Sequence, residues 1–263
     1  MEVSGNVALN LREGAARHTI YYPNDTDHQF RQVQASGRFY DFRTLRYISA
    51  VARLRKPKVI YDVGTCFANH SLYFASVLGC HVECFEPNVR LLPYIRQTMA
   101  AAGGSYTLHN VALGEHEGLG STDEVPDNLG SSKFVAATSN ASLGQTRLAS
   151  MDEYVASQKL PDPDFIKIDT EGFECKILRG ARRLLDRASP ELFVEISPEN
   201  ETEGKSLLHE LGYQRVLFNY GKNYHYSKRT DLASRISLTA SSLWIDAQAS
   251  LIRNAVSVFG GRK

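Results

Sequence analysis

Four acidic residues stand at the ends of predicted β-strands, which is where an open α/β sheet binds its ligands. Asp62 and Glu86 end the first two strands of the predicted sheet, and Asp169 and Glu195 end two later ones. Carboxylates in such positions can accept hydrogen bonds from sugar hydroxyls, act as general bases or hold a cation. Their common location predicts one functional edge rather than four unrelated surface charges.

The turn after the first strand, Gly64-Thr65-Cys66-Phe67-Ala68, has one glycine at its bend and no G-x-G-x-x-G pattern. A pyrophosphate requires bare backbone at close range, which Cys66 and Ala68 provide poorly. S-adenosylmethionine lacks phosphates and makes weaker demands on such a turn. Glu86 follows Asp62 by 24 positions, a spacing that suits a carboxylate binding both ribose hydroxyls of an adenosine-containing cofactor. The pattern therefore favours S-adenosylmethionine over a nicotinamide dinucleotide.

A second acidic group lies in and beyond the segment KIDTEGFE, residues 167–174. If the sheet is parallel, Asp169, Glu171 and Glu195 converge at the same edge. Methylation of an alcohol requires that the alcohol lose its proton, to a base or with the help of a metal. We expect Asp169 to be the general base or, alternatively, to hold a divalent cation such as magnesium together with Glu195. Glu171 equally suits the start of a helix, where negative charge is stabilising.

Two other polar groups carry weaker signals. Lys167 alternates with apolar residues in its strand, so an ion pair with a buried acid is favoured over a catalytic role. Cys80, His81 and Cys84 offer zinc-binding side chains, but one strand cannot wrap three ligands around a tetrahedral ion. We expect these residues to pack in the core and assign no residue of the chain as a zinc ligand.

Alternating apolar runs and helix-like segments position these residues. The strand-like runs are 58–63, 81–86, 106–113, 164–169, 191–196 and 213–219. The helix-like segments are 39–54, 70–78, 88–101, 173–187 and 201–211. This alternation predicts an α/β fold with a mostly parallel sheet and helices on both faces. Residues 114–150, rich in Gly, Ser, Pro and Asp, are expected to form a hairpin and a loop beside the carboxyl edge.

The bulk composition excludes several classes of protein. The 263 residues are 43% hydrophobic and 22% charged, with a formal net charge of +1, which gives no reason to expect a nucleic-acid partner. No uninterrupted apolar run of about 18 residues predicts a transmembrane helix, and the N-terminus lacks the pattern of a secretory signal. Four cysteines do not make a disulfide framework in a chain of this size. We therefore expect a cytoplasmic protein.

These boundaries predict a helical extension over 1–57, a central α/β domain over 58–229 and a helical tail over 230–263. The tail is amphipathic, which favours packing or self-association over a membrane-surface role, because few basic residues line it. Residues 31–58 contain eight Lys or Arg and one acid, Asp41. A solvated helix face is the favoured interpretation, and a positive rim for a phosphorylated or sulfated sugar is the alternative.

Several segments resemble, in order and spacing, the FkbM family of S-adenosylmethionine-dependent methyltransferases. They are YDVGTCFANHSLYFA, VECFEPN, NVALGE, GSS, FIKIDTEGFECKILRGA and ELFVEI, within the range Lys58 to Gly212. KIDTEGFE together with FEPN is specific, whereas the glycine turn alone is a weak signal. The usual turn of the family is D-V-G-A-N-I-G, from which this chain departs at Cys66 and Ala68.

The resemblance implies a class I methyltransferase fold, which is Rossmann-like, with a seven-stranded sheet. It implies that Asp62 and Gly64 meet the methionine end and the bend of S-adenosylmethionine, and that Glu86 binds the ribose. Asn110 and Ala112 would border the adenine.

Three further residues complete the site that the resemblance implies. Asn69 and His70 begin a helix whose free N–H groups could bind the methionine carboxylate. Asp169 is assigned to the cofactor site as well as to catalysis.

The resemblance also implies O-methylation of a hydroxyl on a sugar, a glycan or a glycosylated natural product. Ser131 and Ser132 could orient such an acceptor or be ordinary turn residues. Candidates for stacking against the acceptor are His116, His225, Tyr220, Tyr224 and Tyr226. Two alternatives stay open: a non-catalytic partner subunit, which the altered turn favours, and a nicotinamide-dependent oxidoreductase, which the same turn disfavours.

Overall fold

The computed structural model describes residues 6–137, 145–229 and 231–259. The strands are β1 (Val7–Glu13), β2 (Ala16–Tyr22), β3 (Val59–Val63), β4 (His81–Phe85), β5 (Tyr106–His109), β6 (Ala112–Gly114), β7 (Gly118–Asp123), β8 (Lys133–Ala136), β9 (Thr146–Ser150), β10 (Phe165–Ile168), β11 (Glu191–Glu195), β12 (Gln214–Tyr220) and β13 (Asn223–Ser227).

The helices alternate with the strands of the central domain. They are α1 (His28–Ser36), α2 (Phe42–Arg55), α3 (Asn69–Ser76), α4 (Leu92–Ala102), α5 (Met151–Gln158), α6 (Glu174–Gly180), α7 (Arg182–Ala188), α8 (Glu201–Glu210) and α9 (Leu232–Phe259). Short 3-10 helices occupy Leu129–Ser131 and Pro198–Asn200.

The main sheet has the strand order β12-β13-β11-β10-β3-β4-β5. It has the expected seven strands but is mixed, because β13 runs antiparallel to both of its neighbours. The reason is the connection between β12 and β13, which is a tight turn through Gly221 at φ +61°. A turn this short can join only antiparallel strands.

Parallel pairing brings the predicted acids to one edge of the sheet. β3 pairs in parallel with β4 and with β10, and β10 pairs in parallel with β11. Asp62 lies beside Lys167 in the register of β3 and β10. The chain therefore leaves all four strands at the edge that carries Glu86, Asp169 and Glu195.

The segment 106–113, predicted as one strand, is two. β5 stays in the main sheet, whereas β6 pairs in parallel with β9 in a second sheet of order β6-β9-β7-β8. β7 and β8 form the antiparallel pair of that sheet. The break falls at Asn110 and Val111, where the chain passes from one sheet to the other.

The N-terminal extension, expected to be helical, begins with a hairpin. β1 and β2 pair antiparallel around a turn that contains Gly14 at φ +61°. Leu11, Ile20 and Tyr22 are buried and belong to the same hydrophobic cluster as Phe67 of the central domain. Buried and exposed side chains thus alternate along the hairpin, where the prediction had a helix with one apolar face. The buried side chains pack the extension against the central domain.

The described part of the tail contains one helix, α9, which packs against α2. Within the described ranges, none of the helices combines the length and the apolar character that crossing a bilayer requires.

Candidate active site

The turn after β3 is fixed by contacts between strand ends. Gly64 has φ +84°, and a Cβ built on it would lie 1.8 Å from the carbonyl oxygen of Asp169. The backbone N–H of Gly64 donates to the carbonyl of Phe85 at 3.1 Å. The glycine is therefore required by the close approach of β10, in addition to the bend that the sequence indicated.

Two non-glycine residues of the same turn adopt the left-handed conformation. Cys66 has φ +52° and Ala68 has φ +62°. Both are positions at which the chain departs from D-V-G-A-N-I-G, where the motif has Asn and Gly, the residues that tolerate this conformation best. The turn keeps the backbone shape that the motif predicts, although its side chains are less suited to it.

Glu86 closes this turn from the adjacent strand. Its Oε2 accepts the Cys66 N–H and its Oε1 accepts the Asn88 N–H, both at 2.9 Å. Burial raises the pKa of Glu86 to about 7, although these two N–H groups favour its ionised form. A carboxylate has about four acceptor sites, so two stay available to a ligand.

Glu86 lines a cleft with about 620 Å³ of empty space, part of it open to solvent, which we call the Glu86 cleft. Gly64, Ala112 and Asp169 also line it, and its apolar wall is formed by Val63, Phe85, Leu91, Val111, Leu113, Phe134 and Phe173. Asn110 does not line it, because its amide donates to the carbonyls of Glu86 and Pro87 at 2.9 and 3.0 Å. Asn110 therefore braces the strand end instead of facing the cleft.

Asp62 lies beneath the turn and does not line the Glu86 cleft. Its Oδ2 accepts the Ser71 hydroxyl at 2.5 Å, and its Oδ1 lies 3.5 Å from Lys167 Nζ. Lys167 Nζ also lies 3.1 Å from Asp169 Oδ2. Burial opposes the charge of Lys167, but Asp169 and Asp62 outweigh it and raise the pKa of the ammonium group. Lys167 thus forms the structural ion pair that the sequence favoured.

Asp169 and Glu195 form a carboxyl pair. Their side chains hydrogen-bond to each other, and burial and the Asp169 charge raise the pKa of Glu195. Burial works against ionisation of Asp169 as well, but Lys167 outweighs it and holds the pKa of Asp169 below its usual value. Asp169 is therefore the ionised acceptor and Glu195 the protonated donor of the pair.

Glu171 lies beyond the pair, at φ +53°, and lines the Glu86 cleft. Burial and then Asp169 raise the pKa of Glu171. Glu174 serves the backbone instead, because its Oε1 accepts the N–H groups of Thr170 and Gly172 at 3.1 and 2.9 Å. Glu174 thereby fixes the loop that carries Glu171.

A second cleft, the His70 cleft, holds about 1630 Å³ of empty space and is open to solvent. His70, Asp169 and Glu195 line it, so Asp169 borders both clefts. Burial and the Lys167 charge lower the pKa of His70 to about 3, which leaves the imidazole neutral at neutral pH. Its Nε2 is buried and has no hydrogen-bond partner among the described residues.

The Asn69 side chain hydrogen-bonds to the backbone of Tyr40, which lines the His70 cleft. Its Oδ1 accepts the Tyr40 N–H at 2.9 Å and its Nδ2 donates to the Tyr40 carbonyl at 3.0 Å. The Asn69 side chain lines neither cleft. The Asn69 side chain therefore holds Tyr40 in place, and the implied binding of a methionine carboxylate by the backbone N–H groups of Asn69 and His70 stays a prediction.

Sequence reasoning missed most residues of the His70 cleft. They are His28, Gln32, Ser36, Phe39, Tyr40, Asp41, Phe42, Gly221, Lys222 and Asn223, whereas Arg38 and Arg43 belong to the basic run whose alternative interpretation was a positive rim. The segment 39–54 was predicted to be helical throughout, but α2 begins at Phe42 after Asp41 at φ +50°. The irregular residues before α2, from Arg38 to Asp41, line the cleft.

The basic run of residues 31–58 divides in the structure. Arg38 and Arg43 line the His70 cleft, whereas Arg55 lies 2.7 Å from Glu191 in the interior. Arg46 and Arg53 line grooves outside the two clefts. The run is therefore neither a single rim nor a simple solvated face.

Most of the aromatic candidates for acceptor stacking are buried elsewhere. His225 is fully buried between Tyr47 and Glu191, and Tyr224 and Tyr226 belong to the core. The Tyr220 side chain lies outside the described residues. His116 is exposed and lies beside Glu115, away from both clefts. These assignments were wrong for His225, Tyr224 and Tyr226, because antiparallel β13 lies between two strands of the sheet.

The serines of the irregular loop behave mainly as turn residues. Ser131 Oγ accepts the Asn128 amide at 2.9 Å, and Ser132 Oγ accepts the Val125 N–H at 3.2 Å. Ser132 also lines the Glu86 cleft.

A divalent cation finds no support in this geometry. Across residues 6–137, 145–229 and 231–259, no three His, Cys, Asp or Glu side chains are grouped as metal ligands. Lys167 and Glu195 already satisfy Asp169, the acid proposed as a ligand. Cys80 and Cys84 are buried in the core as expected, whereas His81 is partly exposed and hydrogen-bonds to Ser105 and Glu83.

Comparison with known proteins identifies the family. The model of the Methyltransferase FkbM domain matches residues 62–223, more than half of the chain. A hexuronic acid methyltransferase, AglP, of Haloferax volcanii is 24% identical over 179 residues, which are 65% of this chain and 73% of that protein.

A solved structure shows the same fold. The 16S rRNA N2 G1207 methyltransferase RsmC of T. thermophilus, in complex with AdoMet and guanosine, gives a TM-score of 0.50 at 12% identity, over 86% of this chain and 52% of that one. The FkbM methyltransferase of Methylobacillus flagellatus KT gives a TM-score of 0.47 at 20% identity, over 65% of this chain. The match spans 43% of the Methylobacillus chain. The present chain has a class I methyltransferase-like fold, belongs to the FkbM methyltransferase domain family and is a methyltransferase.

Proposed function

We propose that the chain transfers a methyl group from S-adenosylmethionine to an oxygen of a sugar, a glycan or a glycosylated natural product. The observation that carries this proposal is the position of Asp169, which lines both the Glu86 cleft and the His70 cleft. Methyl transfer requires a donor and an acceptor in contact. The Glu86 cleft is assigned to the donor and the His70 cleft to the acceptor.

The residues of the Glu86 cleft fit S-adenosylmethionine. Glu86 retains two acceptor sites for the ribose hydroxyls, and Val111, Ala112 and Phe134 offer an apolar surface for the adenine. The N–H of Cys66, which a pyrophosphate would require, is already donated to Glu86. This geometry supports a phosphate-free cofactor over a nicotinamide dinucleotide. When bound, S-adenosylmethionine supplies an electrophilic methyl group on a sulfonium centre.

Asp169 is assigned as the acceptor of the proton from the substrate hydroxyl. It is ionised, it borders both clefts, and its side chain is 29% exposed. Lys167 stabilises its charge and Glu195 donates a hydrogen bond to it, so both act as positioning residues. His70, a neutral imidazole with a free Nε2, is assigned to hydrogen-bonding the acceptor.

The charge around the His70 cleft supports an acidic sugar as the acceptor. Arg38 and Lys222 line the cleft, and among the described residues no carboxylate lies within 4 Å of either cation. Such cations can pair with a carboxylate or a phosphate of the acceptor. The name of the Haloferax relative, a hexuronic acid methyltransferase, supports the same substrate class.

Titration calorimetry with S-adenosylhomocysteine tests the donor assignment. We expect binding by the wild-type chain and its loss in Glu86→Ala. Glu210→Ala is the matched control, because Glu210 is 53% exposed and pairs with Arg182 on the surface. Absence of binding by the wild type at millimolar ligand would refute the donor assignment.

Methyl uptake from labelled S-adenosylmethionine tests the acceptor assignment. Uronic-acid oligosaccharides are compared with neutral oligosaccharides of the same length. We expect the acidic series to be preferred, and Arg38→Gln/Lys222→Gln to reduce that preference. Equal uptake by both series in the wild type contradicts the acidic-acceptor assignment while leaving the donor assignment intact.

A further inference from the structure

The outer surface of α2 and α9 combines exposed apolar side chains with cations, and we propose that it docks on an anionic lipid surface. We call this surface the α2–α9 face. It consists of Arg46, Arg53, Lys56, Ile236, Leu243 and Trp244.

The apolar part of the α2–α9 face comes from α9. Ile236, Leu243 and Trp244 are 60%, 65% and 52% exposed. Ile236 and Leu243 are seven positions apart and therefore lie on one side of the helix, with Trp244 beside them. Large apolar side chains clustered in this way mark an interaction surface rather than ordinary scatter.

The cationic part comes from α2, which the sequence could not place beside the tail. Arg46 and Arg53 line a groove of about 650 Å³ with Trp244. Arg46 also lies over the Trp244 ring, with its guanidinium carbon 5.5 Å from the ring centroid. Lys56 joins the same two arginines in an adjoining groove. The packing partner of the tail thus adds cations to a helix that few basic residues line.

These cations are electrostatically available. In the part of the chain that the structure describes, no carboxylate lies within 4 Å of Arg46, Arg53 or Lys56. Glu13 lines the adjoining groove with them, and Asp246 of α9 is already paired with Arg43.

This arrangement selects a lipid surface over a second copy of the chain. Self-association through the α2–α9 face would bring two sets of unpaired cations together, and like charges repel when desolvated. An anionic bilayer supplies the opposite charge to the arginines, and its interfacial layer accepts tryptophan and leucine side chains. The α2–α9 face therefore matches an anionic bilayer both in charge and in polarity.

The α2–α9 face adjoins the His70 cleft. Arg46 lies between the rings of Trp244 and Phe42, at 5.5 and 6.0 Å from the two centroids. Phe42 lines the His70 cleft. A chain docked on a bilayer through this face would hold the mouth of that cleft beside the lipid headgroups. The docking itself does not depend on the proposed function.

Vesicle binding tests the proposal, and Trp244 is its built-in probe because it is the only tryptophan of the chain. The full chain is mixed with vesicles of phosphatidylcholine alone or of phosphatidylcholine with phosphatidylserine. We expect co-sedimentation and a blue shift of tryptophan emission with the anionic vesicles only, both weakening as salt rises. Brominated lipids should quench the emission.

Charge-neutralising variants identify the surface. Arg53→Gln/Lys56→Gln alters two exposed side chains and should weaken binding about 30-fold. Arg182→Gln/Arg183→Gln removes the same charge from α7 and should bind as the wild type does. Circular dichroism verifies that each variant is folded.

Three results would overturn the proposal. They are equal binding to both vesicle types, equal loss of binding in the two double variants, and no binding at all. Sedimentation velocity distinguishes the rival partner, because a concentration-dependent dimer that buries Trp244 without vesicles would assign the face to a second copy.

Discussion

Asp169 and Glu195 share a hydrogen bond between their carboxyl groups at the boundary of the Glu86 and His70 clefts. Two carboxyl groups in contact hold one proton between them at neutral pH, because both cannot be charged at low cost. The pair therefore has one member that can accept a proton and one that cannot.

This asymmetry predicts opposite outcomes for two conservative variants. Asp169→Asn removes the proton acceptor, and we expect a loss of methyl transfer of about 100-fold or more. Glu195→Gln keeps the hydrogen bond to Asp169, and we expect most of the activity to be retained. Initial rates with saturating S-adenosylmethionine measure both effects. Equal losses in the two variants would contradict the division of roles.

The same pair predicts how stability depends on pH. Because the pKa of folded Glu195 is raised above its unfolded value, the folded state holds the extra proton. Unfolding free energy should therefore fall as pH rises from the usual glutamate value through the raised value in the folded state. Glu195→Gln removes this titration, so its urea-denaturation series should show a smaller fall than the wild type over that range.

Glu86 predicts a pH dependence of cofactor affinity. Burial raises its pKa to about 7, and only the ionised carboxylate accepts hydrogen bonds from both ribose hydroxyls. The affinity for S-adenosylhomocysteine should therefore rise about tenfold between pH 6 and pH 8, as the ionised fraction grows. Titration calorimetry in buffers of different ionisation enthalpy would also detect the released proton. Glu86→Gln should bind weakly with no such slope, and a slope retained in that variant would remove Glu86 from the explanation.

Any side chain at position 64 is expected to clash with the backbone of Asp169, and no movement of a side chain can relieve this contact. A Cβ at this position would lie 1.8 Å from the Asp169 carbonyl oxygen, so Gly64→Ala must displace β10. We expect a loss of about 3 kcal/mol or more in unfolding free energy, together with loss of ligand binding. Gly79→Ala is the matched control, because Gly79 has φ +70° with nothing within 4 Å of its Cβ. That control should cost about 1 kcal/mol from conformational strain alone.

Replacing Ala68 with glycine is expected to raise the free energy of unfolding, the opposite of the usual effect of an alanine-to-glycine change. Its φ of +62° strains an L-residue by about 1–2 kcal/mol, which exceeds the about 0.8 kcal/mol that its buried methyl contributes. Ala68→Gly should therefore stabilise the chain by up to about 1 kcal/mol. Ala75→Gly, in the last turn of α3, should destabilise by about 1 kcal/mol. Thermal denaturation of the two variants gives the comparison, and destabilisation by both would show that the turn is unstrained.

The sequence was sufficient for those features that depend on local pattern. Apolar runs located the parallel strands, and the acids at their ends, Glu86, Asp169 and Glu195, do meet at one edge. Lys167 lies between Asp62 and Asp169, as its place in an apolar strand indicated. These predictions hold because a strand period and a parallel register follow from side-chain burial.

Features that depend on tertiary contact were not visible in the sequence. Tyr40 and Lys222 both line the His70 cleft, although they are far apart in the chain and belong to no common motif. Asn69 and Asn110 hydrogen-bond to backbone groups of other segments, and such a partner cannot be recognised from residue types in the sequence. The burial of His225 follows from its place on β13, between β11 and β12, which no short pattern encodes.

The paired hydrogen bonds between Asn69 and Tyr40 have a consequence for the order of events. Asn69 directly follows the strained turn of the Glu86 cleft, whereas Tyr40 lines the His70 cleft, so these two hydrogen bonds link the two clefts. Binding of a ligand in the Glu86 cleft should therefore stiffen the entrance of the His70 cleft. If the Glu86 cleft takes the methyl donor as proposed, we expect ordered binding, in which S-adenosylmethionine binds before the acceptor.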